Sequence, residues 1–337
     1  MRCAAATANY SHGNGSLPYS GNREKPHPVD LCCLSESKGV FVMSYIISTC
    51  TTADMTKEMF DKLGIRYIGF HFIVDGRSYT DDLYESMSAK EFYGHIRNGA
   101  ETSTSQVSVG EYVDYFRELL SEGKDILHAC LSSGISNTVQ SANAAADMLR
   151  SEFPDRKIYI VDSLCASSGA GMYMTLLAQK RDEGMDIDAL YQWALDHQQT
   201  IQHWFCSTDL TYYIKGGRVS KISGVLGGIF EICPLLCVSP EGKLKPIAKI
   251  RTKKKVLTAL VDKMEQHALG GKEYGGLCYI SQSDSLDDAI SVREQVMARF
   301  KNVKQVPIFD IGTTIGCHTG TGTVALFFVG DEEREDE

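Results

Sequence analysis

The 337-residue chain is predicted to be an α/β protein made of two α/β domains, and three observations support this fold class. Strand-like apolar segments alternate with amphipathic helical segments, which is typical of largely parallel sheets with helices on their faces. The chain is long enough for two domains, and its 43% hydrophobic and 23% charged residues are those of an ordinary globular protein. Hydroxyl residues also stand near the ends of predicted elements, where open α/β sheets bind ligands.

Strands and helices alternate in order through the first half of the chain. The helix that begins at Ser88 has Glu91 three residues later, and Ser108 and Glu111 repeat this spacing, which is typical of helix N-caps. Right-handed crossovers place the loops after the strands along one edge of the sheet. We predict strands at residues 45–48, 67–74, 125–131 and 157–161, and helices at 53–63, 88–98, from 109, 137–149 and 172–181, the last preceded by a glycine loop at 169–171.

A second α/β region is predicted from about residue 205. It contains a hairpin around Pro240-Glu241-Gly242, and a glycine-rich loop at residues 316–322 ends the ordered chain. Within this region we predict helices at 252–269 and 286–300 and strands at 276–281 and 305–311. The whole chain is therefore expected to divide into a leader at 1–42, an N-terminal domain at 43–204, a C-terminal domain at 205–330 and an acidic tail at 331–337.

The leader differs in composition from the rest of the chain. Residues 1–42 mix Ser, Gly, Asn, Pro and His without hydrophobic periodicity, which indicates a disordered segment or an over-extended start. No apolar segment of the kind found in signal peptides precedes a cleavage site. We expect the functional chain to begin at Met43.

Charge and cysteine content exclude several classes of function. A net charge of −9 disfavours nucleic-acid binding, although the basic run at residues 249–255 can serve either as a solvated face or as a dock for an acidic partner or phosphorylated ligand. The eleven cysteines form no CxxC motif and no Cys/His cluster, so we expect buried free thiols, no metal and a cytoplasmic location. The apolar run at 224–238 is too interrupted by glycine, Glu231 and Pro234 to span a membrane, but it can line an apolar cavity.

Two hydroxyl-rich motifs predict an anion receptor. Thr104-Ser105-Gln106 precedes the capped helix at 109, and Ser132-Ser133-Gly134 follows the buried strand ending at residue 131. Hydroxyls and free backbone N–H groups at helix starts suit a single anionic head group. The residues alone leave the identity of that anion open.

Other candidate chemistry has weaker support. The residues around Ser133 do not form the G-x-S-x-G elbow of a serine hydrolase, and the glycine loop at 169–171 lacks the lysine of a phosphate-binding P-loop. Lys215-Gly216-Gly217-Arg218 offers a forked guanidinium for a carboxylate or phosphate, with a solvated surface turn as the alternative. His318, in the glycine-rich loop, is placed to orient a carboxylate through a hydrogen bond.

Taken in order, these motifs resemble those of the DegV family, which includes the FakB fatty-acid-binding subunits of bacterial fatty acid kinase. The resemblance covers residues 45 to about 330. It is carried by five motifs in sequence order, namely Thr104-Ser105-Gln106, the segment at 131–136, Asp162-Ser163, the segment at 215–220, and the glycine-rich histidine loop at 316–322.

The resemblance implies a two-domain lipid carrier that is not catalytic alone. A single long-chain fatty acid would lie in a tunnel between the domains, with its carboxylate held by Thr104 and Ser133, with Ser132 as an adjacent candidate and His318 behind. Arg218 and Arg251 correspond to positions linked with a partner kinase, which uses ATP to phosphorylate the bound acid for phospholipid synthesis. No cofactor besides the bound fatty acid is implied.

Three positions depart from the family pattern, since Cys50, Val107 and Thr321 replace an aspartate and two prolines. The first is expected to change a hydrogen-bond network near the pocket. The main alternative to a carrier is a small-molecule phosphoryl- or acyl-transfer enzyme that uses the same hydroxyls. A long apolar tunnel would favour the carrier, and a short polar cleft would favour the enzyme. A structural interaction protein, the third possibility, would leave Arg218 and His318 far from any pocket.

Overall fold

Three sheets and the helices packed on them make up the described part of the chain, residues 45–220, 232–331 and 333–334 of a computed structural model. These residues all belong to one compact unit. The predicted leader at 1–42, residues 224–231 of the apolar run and most of the acidic tail lie outside the described residues. The division of the chain into two domains therefore remains a prediction.

A four-stranded parallel sheet forms the first layer. Its strand order is β2-β1-β6-β7, and β1 pairs with both β2 and β6 in parallel, as in the pair Ile47 and Leu127. The two central strands, β1 and β6, are buried along almost their whole length, as expected of a parallel sheet covered on both faces. The strands are β1 (Tyr45–Cys50), β2 (Ile65–Ile68), β6 (Asp125–Cys130) and β7 (Ile158–Asp162).

A six-stranded mixed sheet forms the second layer, in the order β10-β9-β8-β13-β11-β12. All its pairs are antiparallel except that between β11 and β12. The second region is thus α/β, as predicted, but its sheet is mainly antiparallel. The strands are β8 (Ile201–Ser207), β9 (Ile232–Val238), β10 (Leu244–Arg251), β11 (Cys278–Gln282), β12 (Ile308–Asp310) and β13 (Thr323–Val329).

A small antiparallel sheet, β4-β3-β5, stands beside these two and was not predicted. The strands are β3 (His71–Val74), β4 (Arg77–Thr80) and β5 (Thr102–Ser105). Asp75 and Gly76 both have positive φ, at 47° and 77°, in the tight turn between β3 and β4. The predicted strand at 67–74 is therefore two strands in different sheets. Gly69 separates them, and a Cβ there would lie 2.7 Å from Thr80 Cγ2.

Ten α-helices cover the sheets in the described residues. The caps predicted from sequence are confirmed, because Ser88 accepts from the Glu91 N–H and Ser108 forms a full capping box with Glu111. The helices are α1 (Lys57–Leu63), α2 (Ala89–Arg97), α3 (Val109–Ser121), α4 (Thr138–Leu149), α5 (Ser167–Asp182), α6 (Ile187–Asp196), α7 (Thr211–Lys215), α8 (Lys253–His267), α9 (Leu286–Arg299) and α10 (Thr313–Thr319).

Several predicted boundaries were wrong. The predicted helix at 53–63 is a short 3-10 turn at Thr51–Ala53, then Asp54 at a left-handed φ of 46°, then α1. The predicted glycine loop at 169–171 lies inside α5, and much of the loop at 316–322 is helix α10. The ordered chain does not end there, since β13 follows as an inner strand of the mixed sheet.

The predicted domain boundary between residues 204 and 205 falls within strand β8. A boundary between complete elements would lie near residue 200. None of the helices in the described residues is long and apolar enough to cross a membrane.

Candidate functional site

A cavity of about 550 Å³ lies where the loops after the parallel strands face the mixed sheet and α10. The parallel sheet contributes the segment after β6, from Leu131, and the segment after β7, from Ala166. Because parallel strands end at one edge, these two segments meet there, as the sequence predicted. The residues that line the cavity include Phe70, Thr104, Ser105, Leu131, Ser133, Gly134, Ile135, Asn137, Ala166, Ser167, His203, Phe205, Tyr213, Arg218, Val238, Leu244, Ile311, Thr314, Ile315, His318, Thr323, Ala325 and Phe327.

Thr104 and His318 meet in the cavity wall, although 214 residues separate them. Thr104 is near the end of β5 and His318 is in the last turn of α10. The Thr104 Oγ1 atom lies 2.7 Å from His318 Nε2. When this nitrogen carries the ring proton and donates it to Thr104, the hydroxyl proton of Thr104 remains free to point into the cavity.

The environment of His318 keeps its ring neutral. Burial, together with the nearby positive charge of Arg218, lowers the pKa of His318 to about 4. Its Nδ1 atom is buried and has no hydrogen-bond partner among the described residues. That atom faces Gly216, where a Cβ would lie only 2.2 Å away. Gly216, the first glycine of the K-G-G-R motif, therefore packs directly against the imidazole, and a larger residue would not fit there.

Ser133 is an exposed hydroxyl of the site. Its backbone N–H donates to Asp162 Oδ1 at 3.1 Å, and the Leu164 N–H donates to the same oxygen at 3.1 Å. The neighbouring Ser163 hydroxyl donates to the carbonyl of Cys130 at 2.7 Å. The Asp162-Ser163 motif thus joins the ends of β6 and β7 and holds the Ser133 loop, whereas the Ser133 side chain lies at the cavity surface.

Ser132, the adjacent candidate to Ser133 for the carboxylate, does not face the cavity. It is fully buried and is absent from the cavity lining. Its hydroxyl donates to the Gly242 carbonyl at 2.8 Å and accepts from the Gly134 N–H at 3.1 Å. The Ser132 hydroxyl therefore links the loop after β6 to the β9–β10 hairpin.

Of the two arginines predicted from sequence, one lines the cavity and the other does not. Arg218 lines it, is half-buried, and donates from Nε to the Ile135 carbonyl at 3.3 Å. None of the described acidic residues forms an ion pair with Arg218, and burial lowers its pKa. Arg251 ends β10, is exposed, and does not line the cavity.

Several lining hydroxyls already have protein partners. Ser167 donates to the buried carboxyl of Asp54, whose pKa is raised well above its usual range by burial. Thr314 donates to Asp81 Oδ2 at 2.6 Å. Thr323 is bonded to Tyr213 and Ser207. These groups are satisfied without a ligand, so the hydroxyls of Thr104 and Ser133 are the better candidates for binding one.

The inner wall is formed mainly by buried apolar side chains that sequence reasoning did not assign to a site. Phe205, Ala325 and Phe327 come from adjacent strands β8 and β13 and face the cavity together. His203 also lines it, and burial is the main cause that lowers its pKa to about 3. Its Nε2 accepts from the Ala166 N–H at 3.3 Å and its Nδ1 lies 2.9 Å from the Ile201 carbonyl, so the ring is neutral. Alternation along β8 was the only available signal for these residues.

Cys50, which departs from the family pattern, lies outside this cavity. Its sulfur is 3.2 Å from the Tyr112 hydroxyl and 3.8 Å from His128 Nε2 in the core behind the parallel sheet. Burial raises the pKa of the Cys50 thiol to about 12, so it stays neutral. The substitution therefore alters a buried network that lies behind the cavity wall and reaches it through the backbone of Leu131. Within the described ranges, no group of three or more His, Cys, Asp or Glu side chains is arranged to hold a metal ion.

Replacing Gly216 by alanine is expected to displace the His318 ring and break its bond to Thr104. Gly217→Ala is the matched control, because it has a positive φ of 71° and nothing within 4 Å. The control would cost about 1 kcal/mol of backbone strain without touching the ring. The measurement is the imidazole NMR signals of His318, which should move in Gly216→Ala alone. Equal effects of the two substitutions would contradict the role assigned to Gly216.

Stability is expected to fall in acid partly through His318. The unfolded chain binds this proton near pH 6.5 and the folded chain near pH 4, so the free energy of unfolding decreases as pH falls between those values. At pH 5 the loss is about 2 kcal/mol for this one group. In urea unfolding at pH 7.5 and pH 5, His318→Gln should show a pH dependence smaller by up to that amount. An unchanged pH dependence would show that the ring is not buried as described.

Comparisons with known proteins agree with this geometry. A family model described as "Uncharacterised protein, DegV family" matches residues 45–331. A DegV domain-containing protein of Clostridium perfringens is 34% identical over 290 residues, covering 86% of this chain and 99% of the relative. Another from Lactococcus lactis is 32% identical over 293 residues, covering 87% and 100%.

Solved structures show the same fold. A DegV family protein from Thermus thermophilus, described by its fatty acid binding, aligns with a TM-score of 0.76 at 26% identity, covering 86% of this chain and all of the other. A DegV lipid-binding protein from Thermotoga maritima aligns with a TM-score of 0.74 at 26% identity, covering 87% and 100%. The mixed α/β fold, the motifs and the extent of these matches together establish that the chain belongs to the DegV family.

Proposed function

We propose that this protein binds one long-chain fatty acid in the cavity, with the carboxylate at Thr104 and Ser133 and His318 behind them. The observation that carries the proposal is the arrangement of the cavity. Buried apolar side chains such as Phe205 and Phe327 form its inner wall, while Ser105, Ser133 and Asn137 are exposed at its surface. The fatty-acid-binding relative from Thermus thermophilus supports the same ligand class.

The energetics favour a lipid. Each buried CH₂ contributes roughly 0.8 kcal/mol, so a chain of about sixteen carbons supplies most of the affinity even after the costs of association. The carboxylate then needs hydrogen bonds so that it is not desolvated without partners. The Thr104 hydroxyl, oriented by His318, and the Ser133 hydroxyl supply them.

The runner-up function, phosphoryl or acyl transfer on a small polar substrate, would use the same hydroxyls. The apolar wall argues against this function, because contact with Phe205, Val238 or Phe327 adds no binding free energy for a polar substrate. The hydroxyls of Ser167, Thr314 and Thr323, which would make the interior polar, are bonded to protein groups. A carrier that is not catalytic alone is the better fit.

Removing the two head-group hydroxyls is expected to weaken fatty-acid binding. Thr104→Val and Ser133→Ala each delete a hydrogen bond to a charged group, so the dissociation constant should rise roughly tenfold to a hundredfold per substitution. Displacement of a fluorescent fatty acid measures this, with Ser103→Ala, exposed on β5 and outside the cavity lining, as the control. Purified protein that carries no fatty acid and does not take up palmitate or oleate in native mass spectrometry would refute the proposal.

We further propose that the bound carboxylate is presented to an ATP-dependent fatty acid kinase, which forms an acyl phosphate for phospholipid synthesis in the cytoplasm. The exposed position of Ser133 supports this, because a phosphate donor must reach the carboxylate from outside. Arg218 stands beside the site with its charge unpaired by any described carboxylate. Exposed Arg251, outside the cavity, suits contact with the partner.

The kinase step is separable from binding. With the kinase of the same organism and ATP, Arg218→Ala and Arg251→Ala are expected to keep bound fatty acid but to lower acyl phosphate formation at least tenfold. Trapping the product with hydroxylamine measures the step. Arg293→Ala, exposed on α9, is the control. Full activity of both variants would contradict the roles assigned to the two arginines. Loss of bound lipid from Arg218→Ala would show that Arg218 binds the fatty acid itself.

A further inference from the structure

The tip of the β9–β10 hairpin, residues 238–244, rests on the loop after β6. The Ser132 hydroxyl donates to the Gly242 carbonyl at 2.8 Å across this contact. The two backbones approach so closely that a Cβ at Gly134 would lie 2.5 Å from the Glu241 carbonyl oxygen, and a Cβ at Gly242 would lie 2.0 Å from Ser132 Oγ. Both glycines are therefore needed for the contact to form.

The same contact closes one wall of the cavity. Val238 and Leu244, at the two ends of the tip, line the cavity, and so do Leu131 and Gly134 on the loop beneath. Separating the tip from the loop would open the cavity between these pairs. Arg218, which bonds to Ile135 of the same loop, is not part of the tip and would stay in place.

The two ends of the tip are packed into the core, since Val238 is 3% exposed in the cluster that includes α5 and Leu244 packs against that cluster. The strand pairing of the tip is weaker. The registered pairs between β8 and β9 end at Cys237, and among the described residues β10 is an edge strand that pairs only with β9. The register of β10 is interrupted between Pro246 and Ala248, and such irregularities are places where a strand pair bends. Inside the tip, Ser239 and Lys243 are bonded through their backbones at 2.8 Å. The tip is thus a stiff unit beyond a natural bend.

We propose that the hairpin tip is the movable wall of the cavity, held shut by Ser132, and that it lifts when a fatty acid enters or leaves. This inference rests on the proposed fatty-acid binding. A chain that left end-on through the head-group surface would have to slide its whole length past Thr104 and His318. Lifting the tip exposes the chain from the side instead. It breaks one side-chain hydrogen bond, the close backbone contact and part of the apolar packing of Val238 and Leu244.

A reversible covalent lock tests the movement directly. A Cβ at Gly242 would lie 3.2 Å from the Ser132 Cβ, so in Ser132→Cys/Gly242→Cys the tip must move outward by roughly half to one ångström to reach the Cβ separation of about 3.5–4.5 Å in a disulfide. The covalent bond then replaces the close contact that the glycine otherwise allows. Protein loaded with palmitate while reduced is then oxidised, and exchange with isotope-labelled palmitate is followed by mass spectrometry. Exchange is expected to slow at least tenfold in the oxidised form and to recover on reduction. The two single-cysteine variants and the original chain, treated alike, are the controls.

A single substitution gives an independent measurement. Ser132→Ala deletes the hydroxyl link and is expected to speed palmitate release roughly threefold to tenfold, the effect of one hydrogen bond. Ser285→Ala is the matched control, because this buried serine also bonds a backbone carbonyl, that of Ser283 at 3.2 Å, and lies outside both the hairpin and the cavity lining. Its release rate is expected to stay within about twofold of the original chain, since the change does not reach the tip.

The outcomes separate the two proposals. Exchange that is equally fast in the locked and reduced double variant, or equal release from Ser132→Ala and Ser285→Ala, would overturn the movable wall while leaving fatty-acid binding intact. A chain that takes up no palmitate in any form would overturn the proposed function itself.

Discussion

The burial of α5 between the two larger sheets is the interaction on which the rest of the structure depends. Twelve of its sixteen residues are buried, and its side chains share one core cluster with residues of both sheets. Neighbouring segments pack closely against this helix, and its glycines leave room for them. A Cβ at Gly169 would lie 2.2 Å from His203 Nε2, and one at Gly171 would lie 2.7 Å from the Ala53 carbonyl oxygen. The start of α5 then supplies Ser167 to the cavity, so the packing of this helix sets the position of the site.

Close packing between segments also explains the glycines of the other motifs. Gly216 lies against the His318 ring, and Gly316, in the same helix as that histidine, faces Phe92, where a Cβ would lie 2.6 Å from the ring. Gly134 and Gly242 meet between the loop after β6 and the hairpin. Each of these glycines permits a contact between segments distant in the chain. Most residues of these motifs therefore serve tertiary packing, and few of them face the cavity.

Sequence reasoning succeeded where the physical cause is local. The N-caps at Ser88 and Ser108 depend on residues three positions apart, and the parallel order of the first strands follows from the alternation of strand and helix. Sequence reasoning failed at glycines, because glycine can either interrupt an element or allow close packing inside one. The run at 169–171 was predicted to be a loop because glycine is flexible, whereas here it is small enough for a buried helix. Gly69, by contrast, divides a continuous apolar run between two sheets.

The sequence by itself determined the fold class and the caps, and it singled out Thr104, Ser133, Arg218 and His318 as candidate polar groups. Only the tertiary structure decided what each one touches. Thr104 meets His318 across 214 residues, while Ser132, next to Ser133 in the chain, is turned away from the cavity to hold the hairpin. The reason is that a side chain's hydrogen-bond partner depends on which distant segment packs beside it, and that packing is a property of the whole core.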